Sequence, residues 1–429
     1  MFRLRLRIVP QPLGEKDTII WAAQEKARQR HMRLFNTLSN EKTELSLHKE
    51  NQFRMFVCGP TVQDNVHLGH AKTYFAFDIL VRWLLRKGIK VYFLMNITDV
   101  DDKIFDRAKK ENVPYTSVAD RFFNDFIEDL EALNIVTVSK FARVSKFVNE
   151  SASLVLGLLQ AGKAYPLSAN VYFDTSKADH YGKLSHQSEF ELRMKIIDAA
   201  PGKKNSIDFL LWRSIPDAQE GIWETPVGTG RPGWHIQDSA IAFEEFGGAY
   251  DLHGGATELI FPHHESELAQ DEAISGEIPF VKVWMHTGLL LKDGEKMSKS
   301  LGNVMTIREA LRNCDADLIR AFFLKRHYRD SYEFSPGDLL TSKDLLEHVK
   351  QASQIVPREA RHESELSGKS RYEEEFNAAL DDDLDTPKAL RALQQLSRDM
   401  VSKREDKEYL AKTGPIFWRM VETLGFRLF

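Results

Sequence analysis

Two short apolar runs flank a segment with helical periodicity in the first quarter of the chain. Residues Phe53 to Val57 form a run of strand type, and a second run extends from Val91 to Ile97. Between them, apolar residues recur at helical spacing from position 71 to 86, and Gly88 offers a stop. A strand, a turn, a helix and a second strand predict a parallel βαβ unit. The ligands of such sheets bind at the carboxyl ends of the strands.

The pattern further along predicts that the sheet is interrupted and then followed by helices. Residues 115–160 are predicted to be helical, because Phe122, Phe126, Leu130 and Leu133 share one face. The segment from about 165 to 205 resembles an insertion between two halves of the sheet, and the second half is expected to start near Ile207. From position 335 onward the pattern is helical. We therefore expect an α/β fold with a parallel sheet split by an insertion and followed by an α-helical C-terminal domain.

Composition narrows the class of protein without identifying its ligand. The 429 residues are 42% hydrophobic and 28% charged, and no apolar run has the length of a membrane span, so we expect two or three soluble domains. The only cysteines are Cys58 and Cys314, which excludes a disulfide scaffold and favours a reducing compartment, predicted to be the cytoplasm. With 58 basic and 63 acidic side chains the net charge is −5, so any contact with RNA must be local.

The first candidate for chemistry is an H-x-G-H segment at the predicted start of the first helix. His67, Gly69 and His70 fall where free backbone N–H groups and the positive end of the helix dipole favour a phosphate. Two imidazoles could add hydrogen bonds to that phosphate, and the glycine lets a flat base approach the backbone. Alone, such a segment is more often just two partly exposed histidines at a helix start.

A second segment strengthens the phosphate interpretation. Lys296-Met297-Ser298-Lys299-Ser300 follows an apolar strand at 288–291 and a turn at Asp293-Gly294. Its lysines and hydroxyls could neutralise a leaving pyrophosphate, although a K-x-S-K-S segment by itself is usually a solvated loop. An H-x-G-H followed by this segment after about 225 residues, in a chain with an α/β pattern, is typical of class I aminoacyl-tRNA synthetases.

From about Met32 to its end, the chain resembles the cysteinyl-tRNA synthetases. The matching segments occur in the order of the family: Cys58-Gly59-Pro60-Thr61-Val62, His67-Leu68-Gly69-His70, Thr98-Asp99-Val100-Asp101-Asp102-Lys103, Gly233-Trp234-His235-Ile236, His253-Gly254-Gly255, Pro262-His263-His264-Glu265-Ser266-Glu267, Lys296-Met297-Ser298-Lys299-Ser300 and Asp381-Asp382-Asp383-Leu384-Asp385-Thr386-Pro387. The resemblance implies a class I synthetase fold, with a Rossmann-like parallel sheet split by an insertion and followed by an α-helical C-terminal domain.

The resemblance also implies a metal site with one altered ligand. In the family, zinc is held by two cysteines, a histidine and a glutamate, and the thiolate of the substrate binds that zinc. Cys58, His263 and Glu267 match three ligands, and Asp238 stands where the second cysteine is expected. A carboxylate is an acceptable zinc ligand, but a hard oxygen in place of a soft sulfur makes the ion less thiophilic. Two alternatives follow: the four residues hold zinc or another divalent ion, or the ion is lost and Cys58 is a small buried apolar residue.

The roles implied for the other segments concern ATP, cysteine and tRNA(Cys). The carboxylate of the amino acid attacks the α-phosphate of ATP with the help of Mg²⁺, and the acyl group then passes to the terminal ribose of the tRNA. The side chains expected to stabilise the developing charge are His67, His70, Lys296 and Lys299. Those expected to contact ATP are Thr61, Gly69, Asp251, Gly254, Gly255 and Lys299. The cysteine pocket is expected to include Cys58, Thr98 and Trp234. A monomer without membrane contact is the family expectation.

The same resemblance predicts a division of the chain into segments. Residues 1–31 are expected to be an extension upstream of a natural start near Met32, 32–165 the first half of the catalytic domain, 166–206 the connective insertion, and 207–290 the second half. Residues 291–335 are expected to carry the K-M-S-K-S loop and to contact the tRNA stem, and 336–429 to form a helical domain of the tRNA-binding type. The small C-terminal module that reads the anticodon in the family is expected to be missing.

Three functions remain open on the sequence. The preferred function is a cysteine–tRNA ligase with a trimmed anticodon module. Asp238 and the short C-terminal region also fit a paralogue that activates cysteine or another amino acid and passes it to a small amine or carrier. A relative that binds without catalysis is the third function, and it is disfavoured because both nucleotide segments are intact.

Overall fold

The computed structural model describes residues 32–47, 52–215, 220–297, 301–359 and 370–428, so that the predicted extension of residues 1–31 lies outside the described part. In chain order the strands are β1 (Arg33–Asn36), β2 (Glu41–Glu44), β3 (Gln52–Val57), β4 (Lys90–Ile97), β5 (Lys140–Arg143), β6 (Ala164–Leu167), β7 (Asn170–Phe173), β8 (Phe209–Ser214), β9 (Trp223–Thr225), β10 (Gly228–Pro232), β11 (Tyr250–Ala256), β12 (Val281–Thr287), β13 (Leu290–Lys292), β14 (Glu295–Lys296) and β15 (Tyr332–Glu333). The α-helices are α1 (Leu68–Arg86), α2 (Asp102–Glu111), α3 (Tyr115–Ala132), α4 (Val148–Gln160), α5 (Glu189–Arg193), α6 (Trp234–Phe246), α7 (Glu265–Ser275), α8 (Ile307–Asn313), α9 (Ala316–Leu324), α10 (Lys343–Ile355), α11 (Arg371–Asp381), α12 (Thr386–Ser402) and α13 (Lys407–Thr423).

The central element is a five-stranded parallel sheet with the order β12-β11-β3-β4-β5. The predicted βαβ unit is confirmed, because β3 and β4 pair in parallel with Phe53 opposite Val91 and α1 connects them. Most residues of these strands are buried, which explains their continuous apolar runs. The strand order changes direction at β3, where β4 lies on one side and β11 on the other. The crevice at such a switch point is the usual ligand site.

The helix α1 is buried on nearly all sides, because it lies between the sheet and the C-terminal helices. Phe75 contacts Phe323 of α9 with ring centroids 5.5 Å apart, and Trp83 contacts Phe376 of α11 at 6.4 Å. A helix that is apolar around its whole circumference is typical of such a position. The helix α1, which begins at the two histidines, therefore lies in the core and packs against both the parallel sheet and the C-terminal helices.

A separate antiparallel sheet, with the order β6-β7-β8-β10-β9, is inserted between α4 and α6. Its strands run from Ala164 to Pro232, so the sheet includes residues on both sides of the boundary predicted between 206 and 207. The apolar run at 209–212 has the pattern of a buried strand, and such a pattern does not tell which sheet the strand joins. The parallel sheet resumes only after α6, with β11.

The part of the chain after β12 begins with a small sheet and continues as helices. In this sheet β13 pairs antiparallel with β14 and parallel with β15, and β14 carries Lys296. The helices α10 to α13 follow, which confirms the predicted order of a split parallel sheet and an α-helical C-terminal region. Within the described ranges, every helix is too short or too polar to cross a membrane.

A buried ion pair joins α1 to this helical region. Arg320 of α9 donates to the carboxylate of Asp78 on α1 at 2.9 Å, and both side chains are at most 1% exposed. The other guanidinium N–H groups donate to the backbone carbonyl groups of Leu133, Asn134 and Leu424. The charge and the N–H groups of the Arg320 guanidinium have partners inside the core. Removal of one side chain of the ion pair would leave the other buried without its partner, which is strongly destabilising.

We expect Arg320→Met to lower the free energy of unfolding by about 3–5 kcal/mol, because it leaves Asp78 and three carbonyl groups with fewer buried donors. Urea denaturation of the full chain measures the change. The matched control is Arg193→Met, whose side chain is 79% exposed and pairs with Glu189 on the same helix. This control should stay within about 0.5 kcal/mol of the parent protein. Equal denaturation midpoints for both variants would contradict the role given to Arg320.

Candidate active site and metal centre

A pocket of about 200 Å³ lies at the carboxyl edge of the parallel sheet. Four of the five strands of this sheet contribute residues that end them or directly follow them. These are Cys58 to Thr61 after β3, Asn96 and Thr98 at the end of β4, Ala256 and Glu258 at the end of β11, and Gly288 to Leu290 after β12. The pocket therefore occupies the position at which open parallel sheets bind ligands.

One wall of the pocket is formed by the H-x-G-H segment at the amino end of α1. His67 is the N-cap residue, and its Nδ1 accepts from the backbone N–H of Gly69 at 3.1 Å. The backbone N–H of His67 donates to Nδ1 of His70 at 3.3 Å, and the two rings lie 4.0 Å apart. A Cβ on Gly69 would lie 2.9 Å from the His67 ring, so glycine allows that ring to cover the first turn. The amino end of the helix favours a phosphate at this wall.

The second wall carries a buried thiol with acidic and imidazole partners. Cys58 follows β3, and its Sγ lies 3.5 Å from the Oδ2 of Asp238 on α6. The Nε2 of His263 lies 3.0 Å from the same Oδ2 and 2.9 Å from the Oε1 of Glu267. Cys58, Asp238, His263 and Glu267 thus form a cluster with metal-ligand spacing, which we name the outer set. These are the four residues that the sequence predicted to come together.

Burial controls the electrostatics of this set. Burial raises the pKa of the Cys58 thiol, and the charges of Glu267 and Asp238 raise it further. Burial also raises the pKa of the Glu267 carboxyl. Burial alone would lower the pKa of His263, but the charges of Glu267 and Asp238 outweigh it and raise that pKa to about 10. The cluster therefore holds protons that a divalent cation would replace on binding.

A second group of donors shares two members with the outer set. Cys58 and Glu267 also lie beside His253 and His264, and we name this cluster of four residues the inner set. The Sγ of Cys58 is 3.1 Å from the Nε2 of His264 and 3.5 Å from the Nε2 of His253. Sequence reasoning missed both histidines. The available signal was their position next to predicted residues, in the segments His253-Gly254-Gly255 and Pro262-His263-His264.

Asn96 is a further pocket residue, and it is not among the expected site residues. Its Nδ2 donates to the Oδ1 of Asp238 at 2.6 Å, and its Oδ1 accepts from the backbone N–H of Gly59, also at 2.6 Å. The side chain therefore fixes the carboxylate of Asp238 and the turn after Cys58 at the same time. Asn96 is the last polar residue before the end of β4, which was the signal in the sequence.

Several predicted contacts lie at the pocket. Thr61 and Thr98 form a parallel bridge between the turns after β3 and β4, and both line the pocket. The ring of Trp234 stacks on that of His263 with centroids 4.1 Å apart. Lys296 lines the pocket as well, whereas Lys299 lies outside the described residues.

The structure does not bring Asp251, Gly254 or Gly255 to the pocket. Asp251 stands near the amino end of β11, fully buried, and accepts from the backbone N–H of Arg54 at 2.8 Å. A Cβ on Gly254 would lie 2.3 Å from the Phe77 ring, and one on Gly255 would lie 2.9 Å from Leu259. These two glycines make room for side chains of the protein itself, so their expected contact with ATP has no support in this geometry.

The comparison with family models decides the relationship of the chain. The model described as tRNA synthetases class I (C) catalytic domain matches residues 44–344. The chain belongs to this family of class I tRNA synthetases. Curated relatives agree over most of the chain. The cysteine–tRNA ligase of Thermococcus gammatolerans is 39% identical over 411 residues, which cover 92% of this chain and 85% of the relative. That of Thermoplasma acidophilum is 42% identical over 322 residues, which cover 74% and 70%.

Solved structures of other class I synthetases share the fold. The methionyl-tRNA synthetase of Mycobacterium tuberculosis in complex with methionyl-adenylate has a TM-score of 0.61 at 17% identity and covers 87% of this chain and 91% of its own. A putative arginyl-tRNA synthetase from Campylobacter jejuni has a TM-score of 0.57 at 12% identity and covers 95% and 96%. At these identities the likeness concerns the fold alone.

A second family model changes the description of the C-terminal region. The DALR domain matches residues 375–429, which include most of α11 and all of α12 and α13. These helices are therefore a recognised domain of their own. The expectation that a C-terminal module is missing is partly at odds with this match, whereas the resemblance to the cysteinyl-tRNA synthetases is confirmed by the relatives.

The approach of β3 to β4 at the pocket generates a prediction about Gly59. A Cβ at this position would lie 1.9 Å from the backbone carbonyl oxygen of Asn96, so Gly59→Ala must displace Asn96 or the turn after Cys58. We expect a lower thermal unfolding midpoint and a loss of about 100-fold in cysteine-dependent exchange of pyrophosphate into ATP, because such displacements of reacting groups are costly.

The matched control is Gly157→Ala on the exposed face of α4, where an added Cβ meets nothing within 4 Å. This variant should keep its exchange activity and gain about 0.5–1 kcal/mol of stability, because alanine favours a helix. Parental exchange activity in Gly59→Ala would show that the close approach of the strands does not matter for the pocket.

Proposed function

We propose that this protein is a cysteine–tRNA ligase, which activates cysteine with ATP and transfers the cysteinyl group to tRNA(Cys). The observation that carries the proposal is a single pocket with two chemically different walls. One wall carries His67 and His70 at a helix amino end, and the other carries the thiol of Cys58 with Asp238 and His263. The cysteine–tRNA ligases similar to this chain support the same function.

Activation requires an in-line attack on the α-phosphate of ATP. A carboxylate oxygen of cysteine forms a bond to the α-phosphorus while the bond to the pyrophosphate oxygen breaks, which yields cysteinyl-adenylate and pyrophosphate. His67 and His70 stabilise the charge on the phosphate together with the amino end of α1. Lys296 and Lys299 neutralise the leaving pyrophosphate, and Thr61 and Gly69 contact the nucleotide. Mg²⁺, when it is bound with ATP, supplies further positive charge.

Cysteine is recognised at the wall that carries the outer set. The donors fit zinc, because one thiol, one imidazole and two carboxyl groups are ligand types that zinc accepts and they lie within 4.8 Å of one another. A zinc ion bound there supplies a contact for the sulfur of the substrate. Cys58, Asp238, His263 and Glu267 would hold the ion, Asn96 orients Asp238, and Thr98 and Trp234 would enclose the side chain of the substrate.

Transfer then moves the cysteinyl group from the adenylate to a ribose hydroxyl at the end of the tRNA. The oxygen of that hydroxyl attacks the carbonyl carbon, AMP leaves, and an aminoacyl ester is formed. On this proposal residues 32–163 and 233–290 form the catalytic domain, 164–232 the insertion, 291–335 the region of the K-M-S-K-S loop, and the helices after it the tRNA-binding part. The monomeric state and the cytoplasmic location stay predictions.

Two assays on the full chain test the function. In pyrophosphate exchange with a panel of amino acids, we expect cysteine to be preferred. In a charging assay with a tRNA(Cys) transcript, we expect labelled cysteinyl-tRNA. Exchange with cysteine but without charging would indicate a small amine or carrier as the acceptor. Preference for an amino acid without a thiol would exclude the proposed substrate, and absence of exchange with every amino acid would exclude activation altogether.

The altered ligand generates a prediction of its own. Asp238→Cys restores a second sulfur, so we expect zinc affinity to rise by about 10-fold or more and the KM for cysteine to fall, because thiolate is the softer ligand. Chelator competition and pyrophosphate exchange measure the two quantities. The control Asp344→Cys places a new thiol at an exposed position of α10 and should change neither. If Asp238→Cys also changes neither, position 238 does not face the ion.

A further inference from the structure

The inner set has the spacing of a closed metal site. The Cys58 sulfur lies 3.1 and 3.5 Å from the two imidazoles, and the His253 Nε2 lies 3.3 Å from the Glu267 Oε2. Around a tetrahedral zinc ion with bonds of about 2.0–2.3 Å, ligand atoms lie about 3.3–3.8 Å apart. The inner set is therefore already close to this geometry without any movement of the backbone.

Each imidazole of the inner set has a polar partner on the ring nitrogen that points away from Cys58. The Nδ1 of His253 lies 2.6 Å from the hydroxyl of Tyr250, and the Nδ1 of His264 lies 2.8 Å from the Nε2 of His286. His286 in turn contacts the hydroxyl of Thr37 at 2.7 Å. A partner on the distal ring nitrogen that directs the other nitrogen toward the ion is the usual support of a metal-bound histidine.

The members that belong only to the outer set have other partners. Asp238 receives a hydrogen bond from Asn96 at 2.6 Å and lies 3.0 Å from the Nε2 of His263. The Nδ1 of His263 lies 2.9 Å from the Nδ1 of His235. Asp238 and His263 therefore pair with each other, and Glu267 bridges the two sets, with Oε1 at 2.9 Å from His263 and Oε2 at 3.3 Å from His253.

The two sets differ in the net charge that they would have with a bound ion and in their exposure to the pocket. The outer set combines one thiolate and two carboxylates, so a divalent ion there carries a net charge of −1, whereas the inner set has one thiolate and one carboxylate and becomes neutral. A neutral site costs less to bury. Cys58, Asp238 and His263 line the pocket, whereas His253, His264 and Glu267 do not. A closed site is typical of structural zinc, and an open one of catalytic zinc.

We propose that the metal ion of this protein has two positions, and that in the absence of amino acid it rests in the inner set, bound by Cys58, His253, His264 and Glu267. The inference rests on the proposed function only in that a divalent ion binds at this cluster. The outer set is the position at which the ion meets the substrate, whose own thiolate replaces the sulfur that Asp238 does not provide. One ion moves between the two sets, because both need Cys58 and Glu267.

X-ray absorption at the zinc edge tests the resting position in the unaltered full chain. Protein that holds one equivalent of zinc, without amino acid, is expected to show two imidazoles, one sulfur and one carboxylate oxygen around the ion. One imidazole with one sulfur and two carboxylate oxygens overturns the inference, and so does failure to bind zinc. This result does not depend on tRNA charging. If the enzyme is active and its ion has only one imidazole ligand, the inner position is contradicted and the proposed function is not.

Zinc affinity of single variants gives a second test. His264→Gln should weaken zinc binding by at least about 10-fold, and Asp238→Asn by less than this amount, because only the first removes a resting ligand. The control His180→Gln alters a side chain that is 88% exposed and should leave the affinity unchanged. Strong loss of zinc in Asp238→Asn, with parental affinity in His264→Gln, overturns the inference. Should His264→Gln fail to fold, the absorption spectrum of Asp238→Asn decides, with two imidazoles expected.

Discussion

Parallel pairing of β3 with both β4 and β11 is the constraint on which the pocket depends. Because the three strands run in one direction, the chain leaves each of them at the same edge of the sheet. Asp238 lies on α6, the helix that leads into β11, and its side chain comes within 3.5 Å of Cys58 although the two residues are 180 apart in the sequence. The glycine after Cys58 allows the first of these turns to pass directly beside the backbone of Asn96. The walls of the pocket are thus fixed by the sheet before any ligand is present.

Much of the candidate site could be predicted because its chemistry is local in the sequence. A strand, a turn with two histidines and a helix specify a phosphate-binding amino end, and the structure has His67 as the N-cap of α1. His263 and Glu267 are four residues apart, which placed them on one face, and their side chains are 2.9 Å apart. The identity of Asp238 as a fourth member followed from the resemblance alone, since no local pattern connects it with Cys58.

Other parts of the site could not be predicted, because the pattern of a strand shows neither how far along the sheet a residue lies nor which strands pair with each other. In β11 all but the last residue are buried, so alternation of polar and apolar side chains is lost. Asp251 and Gly255 lie four residues apart on this strand, roughly 13 Å at the usual rise, and only the later part approaches the ligand edge. His253 and His264 come together through contacts between β11 and the start of α7. Likewise, the local pattern of β8 does not show that it pairs within the inserted sheet, because that pairing depends on tertiary contacts.

The exchange of a sulfur for a carboxylate at 238 changes the hardness of the site more than its charge, because both ligands are anionic. Cysteine and serine differ in a single atom, and the shape of a pocket separates such substrates weakly. On the proposed function, selection of the thiol would therefore come from an ion held by these ligands. Around them lie the neutral imidazoles of His235, His253, His264 and His286, whose pKa values burial lowers. Neutral imidazoles bring no competing positive charge, and two of them, His253 and His264, would offer nitrogen ligands to such an ion.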